Sequence, residues 1–226
     1  MDINMIKQFL STIFLVLGSG CLMHQPISPP ISDAGVIPAK VTFEHHPRRK
    51  IAAQRGSKIL LAGDSLAVGM SGKFVQVARE NGYEPVVHAV VGSNVLQWTS
   101  WIREDIAKHS PRLIVFSLGT NDAMIIDHIR KFPNVYGSLQ NYLDVQGISV
   151  AWISPPALPR DRVPHAAEIR TMIAEAGHNY FDSTTLVIER GCDRIHSTPR
   201  GYNYWMGEVW EWMGQRSLVA IEENTE

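Results

Sequence analysis

Cysteine is nearly absent from this chain, since Cys21 and Cys192 are the only two in 226 residues. So few thiols exclude a disulfide-stapled scaffold and the paired Cys-x-x-Cys spacing of zinc sites. Excess charge is missing as well: 21 Lys and Arg stand against 22 Asp and Glu, for a net charge of -1. That balance leaves no electrostatic footprint for holding nucleic acid. Long hydrophobic runs are also lacking; the stretch Phe9–Leu17 falls short of the roughly 20 apolar residues that a spanning helix needs. What is present is 45% hydrophobic residues in a chain of this length, enough for one domain with a substantial core.

Residues 1–21 read as a targeting segment and stand outside the fold. Lys7 precedes the apolar run, and the small residues Gly18-Ser19-Gly20 lead directly into Cys21. The pattern resembles a bacterial lipoprotein signal, in which Cys21 becomes the lipidated first residue. It departs from that pattern in having Gly18 three before the cysteine and Leu17 one step earlier. The expectation is an exported protein, periplasmic or membrane-anchored through Cys21. Residues 22–55 carry Pro26, Pro29, Pro30 and Pro38 and read as a flexible tether. Within it, His45-His46 followed by Pro47 do not share a face of a regular element, so a solvated linker is expected there rather than a metal site.

Residues 56–216 alternate between short apolar runs and helical periodicity, with a C-terminal tail expected over 217–226. Strands are expected at Lys58–Ala62, Pro85–Val91, Leu113–Leu118, Ile148–Ser154 and Tyr180–Asp182. Helices are expected at Gly69–Asn81, after Asn94, at Val135–Gln146, after Pro164 and after Thr198-Pro199. Such alternation predicts a three-layer α/β/α sandwich with a five-stranded parallel sheet. Ligand sites in these sheets lie beyond the carboxyl ends of the strands. Four short motifs sit at those ends: Gly63-Asp64-Ser65-Leu66, Gly92, Gly119-Thr120-Asn121-Asp122 and Asp193-Arg194-Ile195-His196.

Their chemistry is that of acyl transfer. A serine hydroxyl is a poor nucleophile until a base takes its proton, and His196, oriented by Asp193 three residues earlier, is the candidate base for Ser65. The backbone of Ser65, the backbone of Gly92 and the side-chain amide of Asn121 are candidate donors to an oxyanion. Glycine stands two before Ser65 and leucine directly after it, which does not match the G-x-S-x-G nucleophile elbow. Cys192 is expected to be a small buried residue behind the loop, because Ser65 already fills the nucleophile's position. Asp64 and Asp122 are expected to support their own turns. Trp98, just after Gly92, and Arg160, in the loop after Pro155-Pro156, are candidate substrate-binding residues, set against packing and solvated charge as the ordinary roles. Trp205 and Trp210 belong to the apolar stripe of the last helix.

On these four motifs the chain resembles the SGNH (GDSL) hydrolase superfamily over about Lys58 to Met213. The resemblance implies Ser65 as nucleophile, Ser65, Gly92 and Asn121 as the oxyanion hole, and His196 held by Asp193. It further implies a flavodoxin-like sheet and a reaction needing neither metal nor cofactor. Because the superfamily spans lipases, carbohydrate acetylesterases, thioesterases and acyltransferases, it fixes chemistry more than substrate. The expected activity is hydrolysis of a small acyl ester, such as acetate on a cell-envelope carbohydrate. An O-acyltransferase with the same triad, a lipase or thioesterase, and a non-catalytic binding lipoprotein are the alternatives.

Overall fold

The computed structural model describes residues 52–176 and 179–220. The expected targeting segment 1–21, Cys21 and most of the tether lie outside the described residues, as do Gly177, His178 and residues 221–226. Among the described residues no helix is long and apolar enough to cross a membrane.

Five parallel strands form the sheet, β1 (Lys58–Gly63), β2 (Glu84–Ala89), β3 (Leu113–Ser117), β4 (Ser149–Ile153) and β5 (Asn179–Phe181), in the order β2-β1-β3-β4-β5. Among the described residues five α-helices connect or follow them: α1 (Ser65–Glu80), α2 (Val95–His109), α3 (Ile126–Val145), α4 (Ala166–Glu175) and α5 (Pro199–Gln215). Central strands buried on both faces are apolar at every position, and alternate side chains serve opposite cores. On β1, Ile59 and Leu61 pack with α1 and α5, while Leu60 and Ala62 pack with α2, α3 and α4. On β3, Val115 and Phe116 divide in the same way. The three-layer sandwich expected from the alternation is therefore the fold observed. Its order matches the flavodoxin-like arrangement, whose switch point falls between β1 and β3.

Boundaries differ from the sequence reading where tertiary packing overrides local signals. Helix α3 begins at Ile126 rather than Val135 and runs through Pro133. A helix-interior proline removes one backbone hydrogen bond, but Ile129, Phe132, Tyr136, Leu139 and Leu143 form one buried stripe across it. Helix α1 begins at Ser65, four residues before the expected start, because Asp64 caps it. The packed body is also wider than 56–216. Ala53, Leu218 and Val219 are buried, and the Ala53 N–H donates to the Leu218 carbonyl at 2.9 Å. Tyr83 ties the two ends together, donating its hydroxyl to the Ala53 carbonyl and accepting from the Ala220 N–H.

Candidate active site

The nucleophile turn is built on close backbone approach. Gly63 ends β1 against β3, and any Cβ there would drive into the Ser117 carbonyl oxygen. The Asp64 N–H donates to that same oxygen at 3.1 Å. Fully buried, Asp64 accepts the Leu66 N–H on Oδ1 at 2.9 Å and so caps α1. Ser65 is thereby the first residue of α1. Its N–H has no acceptor within the helix and sits at the helix's positive end.

The turn after β2 is bound to this one through Ser93. The Ser93 hydroxyl donates to the Gly63 carbonyl at 3.3 Å and accepts from the Trp98 indole N–H at 3.0 Å. Gly92, beside it, has a φ of +78° and nothing within 4 Å of the place a Cβ would take. The glycine thus serves the left-handed backbone and leaves the position open to a ligand. The turn after β3 closes on the same residue, since Asn121 Nδ2 donates to the Ser93 carbonyl at 2.9 Å. An amide nitrogen carries two hydrogens, and this bond uses one. Asp122 accepts the Val95 N–H on both carboxylate oxygens, at 3.3 and 3.2 Å, and so holds the start of α2 rather than only its own turn.

The fourth motif lies on a short hairpin over residues 189–198. Thr198 N–H donates to the Glu189 carbonyl, and Gly191 N–H donates to the His196 carbonyl at 2.7 Å. Arg190 braces it from one side, reaching the Ile195 carbonyl at 2.9 Å and the Ser197 hydroxyl at 3.3 Å. Arg194, at a φ of +62°, pairs with Asp161 of the loop after β4. Asp193 Oδ1 accepts the N–H groups of Ile195 and His196, each at 2.9 Å, which leaves Oδ2 for the His196 ring at 2.6 Å. On its other side, His196 Nε2 accepts the Ser65 hydroxyl at 2.8 Å. That direction assigns the Nδ1–H tautomer, the one a carboxylate at Nδ1 selects.

The pKa values of the site's three carboxylates are shifted in opposite directions. Burial works to raise the Asp193 pKa, but the His196 ring and the two N–H groups together bring it below the usual carboxylate range. Asp193 therefore stays ionised beside the imidazole. Burial pushes Asp64 up to about 7, with repulsion from Asp122 adding to it and the Leu66 N–H opposing. Burial likewise carries Asp122 up to about 6, against the Val95 N–H and the nearby His128.

Ser65, His196, Asp193 and the Gly92 and Asn121 turns are thus brought to one end of the sheet, at its switch point. Other expectations are corrected. Trp98 is wholly buried, packed on Phe116 at 6.1 Å and on His88 at 4.8 Å between ring centroids, so it offers no face to a sugar. Arg160 is exposed in the loop after β4, as a solvated charge would be, and its neighbour Asp161 pairs with Arg194 of the histidine hairpin. Cys192 is exposed rather than buried, because the hairpin turns it away from the core. Ser93 escaped the sequence reading, and the only signal was its place directly after Gly92. Trp205 and Trp210 are core residues, as expected. Among the described residues, no group of three or more His, Cys, Asp or Glu side chains could hold a metal ion.

No family model matches the sequence, and no curated protein matches it. Solved structures do share the fold. An acetyl xylan esterase, AlAXEase, aligns at 17% identity and a TM-score of 0.56, covering 68% of this chain and 98% of that one. A GDSL-like lipase from Bacteroides thetaiotaomicron VPI-5482 aligns at 17% identity and a TM-score of 0.55, covering 71% and 89%. The psychrotrophic esterase EstA from Pseudoalteromonas sp. aligns at 13% identity and a TM-score of 0.57, covering 71% and 98%. The chain thus shares its α/β fold with solved structures of esterases and a GDSL-like lipase.

Proposed function

We propose that this chain is a serine hydrolase of carboxylic esters that works through an acyl-enzyme. The observation that carries the reading is the unbroken hydrogen-bonded relay from Ser65 through His196 to Asp193, at 2.8 and 2.6 Å. His196 Nε2 takes the hydroxyl proton as Ser65 Oγ attacks the ester carbonyl. The new oxyanion is held by the N–H groups of Ser65 and Gly92 and by the second hydrogen of Asn121 Nδ2. His196 then gives its proton to the departing alcohol, leaving the acyl group on Ser65. A water molecule, deprotonated by His196, attacks that ester and releases the acid. Asp193 keeps the imidazole oriented and stabilises its cationic form without taking the proton.

For the acyl group, the first reading is a short one, acetate on a cell-envelope carbohydrate. The likeness of fold to an acetyl xylan esterase supports it. A second reading, an apolar acyl chain of the lipase or thioesterase kind, is favoured by a specific observation. Val91, Leu96, Met124, Ile125 and Ile126 are exposed on the two segments that carry Gly92 and Asn121. Export by residues 1–21, with Cys21 lipidated, belongs to the same proposal, and incorporation of labelled palmitate that Cys21→Ser abolishes would test it.

Nitrophenyl esters of increasing chain length test both parts. A burst of nitrophenol equal to the enzyme concentration is expected as the acyl-enzyme forms. Highest kcat/KM on the acetyl ester supports the first reading, and a wide preference for long chains replaces it with the second. Absence of turnover on every ester contradicts the function.

A further inference from the structure

The relay joins two parts of the chain that share no backbone hydrogen bonds with one another: the start of α1 and the histidine hairpin. Something must hold them at the right separation, and Tyr202 lies between them. Gly69 stands one helical turn after Ser65, and a Cβ there would overlap Cζ, Cε1 and Cε2 of Tyr202. The phenol ring therefore rests directly on the α1 backbone, which only a glycine permits. Tyr202 belongs to the first turn of α5, which begins where the hairpin ends, at Thr198. The ring itself is held from behind. It stacks on Trp205 at 6.4 Å and 11°, is almost wholly buried, and is fixed in α5, which Thr198 caps by accepting the Gly201 N–H at 3.1 Å. Gly201 makes a matching close approach on the other side, since a Cβ there would meet the Glu189 carbonyl oxygen of the hairpin.

We propose that Tyr202 is a positioning residue for the relay: its ring on Gly69, in a helix turn that abuts the hairpin through Gly201, sets the separation between Ser65 and His196. It touches no reacting atom. A misplacement of about 1 Å at a reacting pair can cost about 10²-fold in rate, so a contact that governs this separation governs turnover. The inference rests on the ester hydrolase reading for its kinetic readout, but not for its structural one.

The test uses Gly69→Ala, Tyr202→Leu, their combination and Tyr202→Phe in the full chain. Gly69→Ala should push the ring toward the hairpin and lower kcat about 10²-fold while KM stays nearly constant. Adding Tyr202→Leu removes the obstacle, so the double variant should be more active than Gly69→Ala alone. Tyr202→Phe keeps the ring and should retain more kcat than Tyr202→Leu. In parallel, the 15N signals of the His196 ring should move in Gly69→Ala and return toward wild type in the double variant, and this readout needs no turnover. A double variant no better than the product of its parts overturns the proposal. Should Gly69→Ala not fold, Tyr202→Leu decides alone, and an unchanged kcat overturns it. Ser65-dependent turnover that ignores every variant sinks the spacer and spares the function. His196 signals that respond in a chain without turnover do the reverse.

Discussion

The two halves of the site are held in contrasting ways. The nucleophile turn is buried: Gly63 is pressed on Ser117, Asp64 is out of solvent, and Ser93 binds the neighbouring turn to it. The histidine hairpin is exposed at Asp193 and Arg194 and is kept in shape by its own hydrogen bonds and by Arg190. In the proposed mechanism the oxyanion is met by fixed dipoles, and the sheet's switch point supplies the rigidity this needs. The imidazole of that mechanism exchanges protons with substrate and water, and a short hairpin supplies the access. Preorganised donors act without reorganising during the reaction, so rigidity is worth most on the oxyanion side.

Mutations on each side sharpen that contrast. Ser65→Ala should have the largest effect, a loss of about 10⁶-fold in kcat or down to background, with folding intact. Nitrophenyl ester hydrolysis with a circular dichroism control would check it. Asp193→Asn should follow, at most about 10⁴-fold, because the wrong tautomer of His196 is favoured but solvent partly replaces the lost charge. Asn121→Ala should cost about 10²–10³-fold in kcat with little change in KM, as removal of an oxyanion donor does. Arg194→Ala removes an exposed pair with Asp161, of a kind worth about 0.2–1 kcal/mol, so kcat should change by less than about fivefold. A hundredfold loss there would mean that the hairpin depends on its outer brace.

A separate effect, on stability, bears on the buried side of the site. Asp64 and Asp122 titrate at about 7 and about 6 in the folded chain, against about 3.9 when unfolded. The folded state therefore holds protons that the unfolded state has released. The stability this contributes is full below about pH 4 and is lost as pH rises through about 6 to 7. Asp64→Asn keeps an acceptor for the Leu66 N–H and abolishes the titration. Its Tm relative to wild type should rise between about pH 5 and about pH 8. A difference that does not change with pH would contradict the buried, protonated state.

Much of this was legible from residue order alone. Gly63, Ser65, Gly92 and Asn121 follow strands whose apolar runs are unmistakable, and the parallel-sheet rule sends them to one rim. Asp193 and His196 are local in sequence, so their pairing could be read directly. For Trp98 the ordinary role, packing, is the one observed; an indole beside such a turn looks the same in sequence whether it faces sugar or core, and its N–H bond to Ser93 exists only in three dimensions. Cys192 was misread because an isolated small residue carries no periodicity to place it. Helix α3 starts nine residues before the expected Val135, because a stripe of five apolar residues on both sides of Pro133 packs as one face, which only the fold reveals. Tyr202 lies on the buried stripe of α5, and its contact with Gly69 links positions 133 residues apart, beyond any local pattern.

The central claim is that the Ser65 hydroxyl and the His196 imidazole act as one unit. Labelling with a fluorophosphonate probe, followed by mass mapping of the modified peptide in wild type and His196→Ala, tests it most directly. The account predicts one adduct, on Ser65, formed orders of magnitude more slowly without the imidazole. An adduct on another residue, or a labelling rate indifferent to His196, would contradict it.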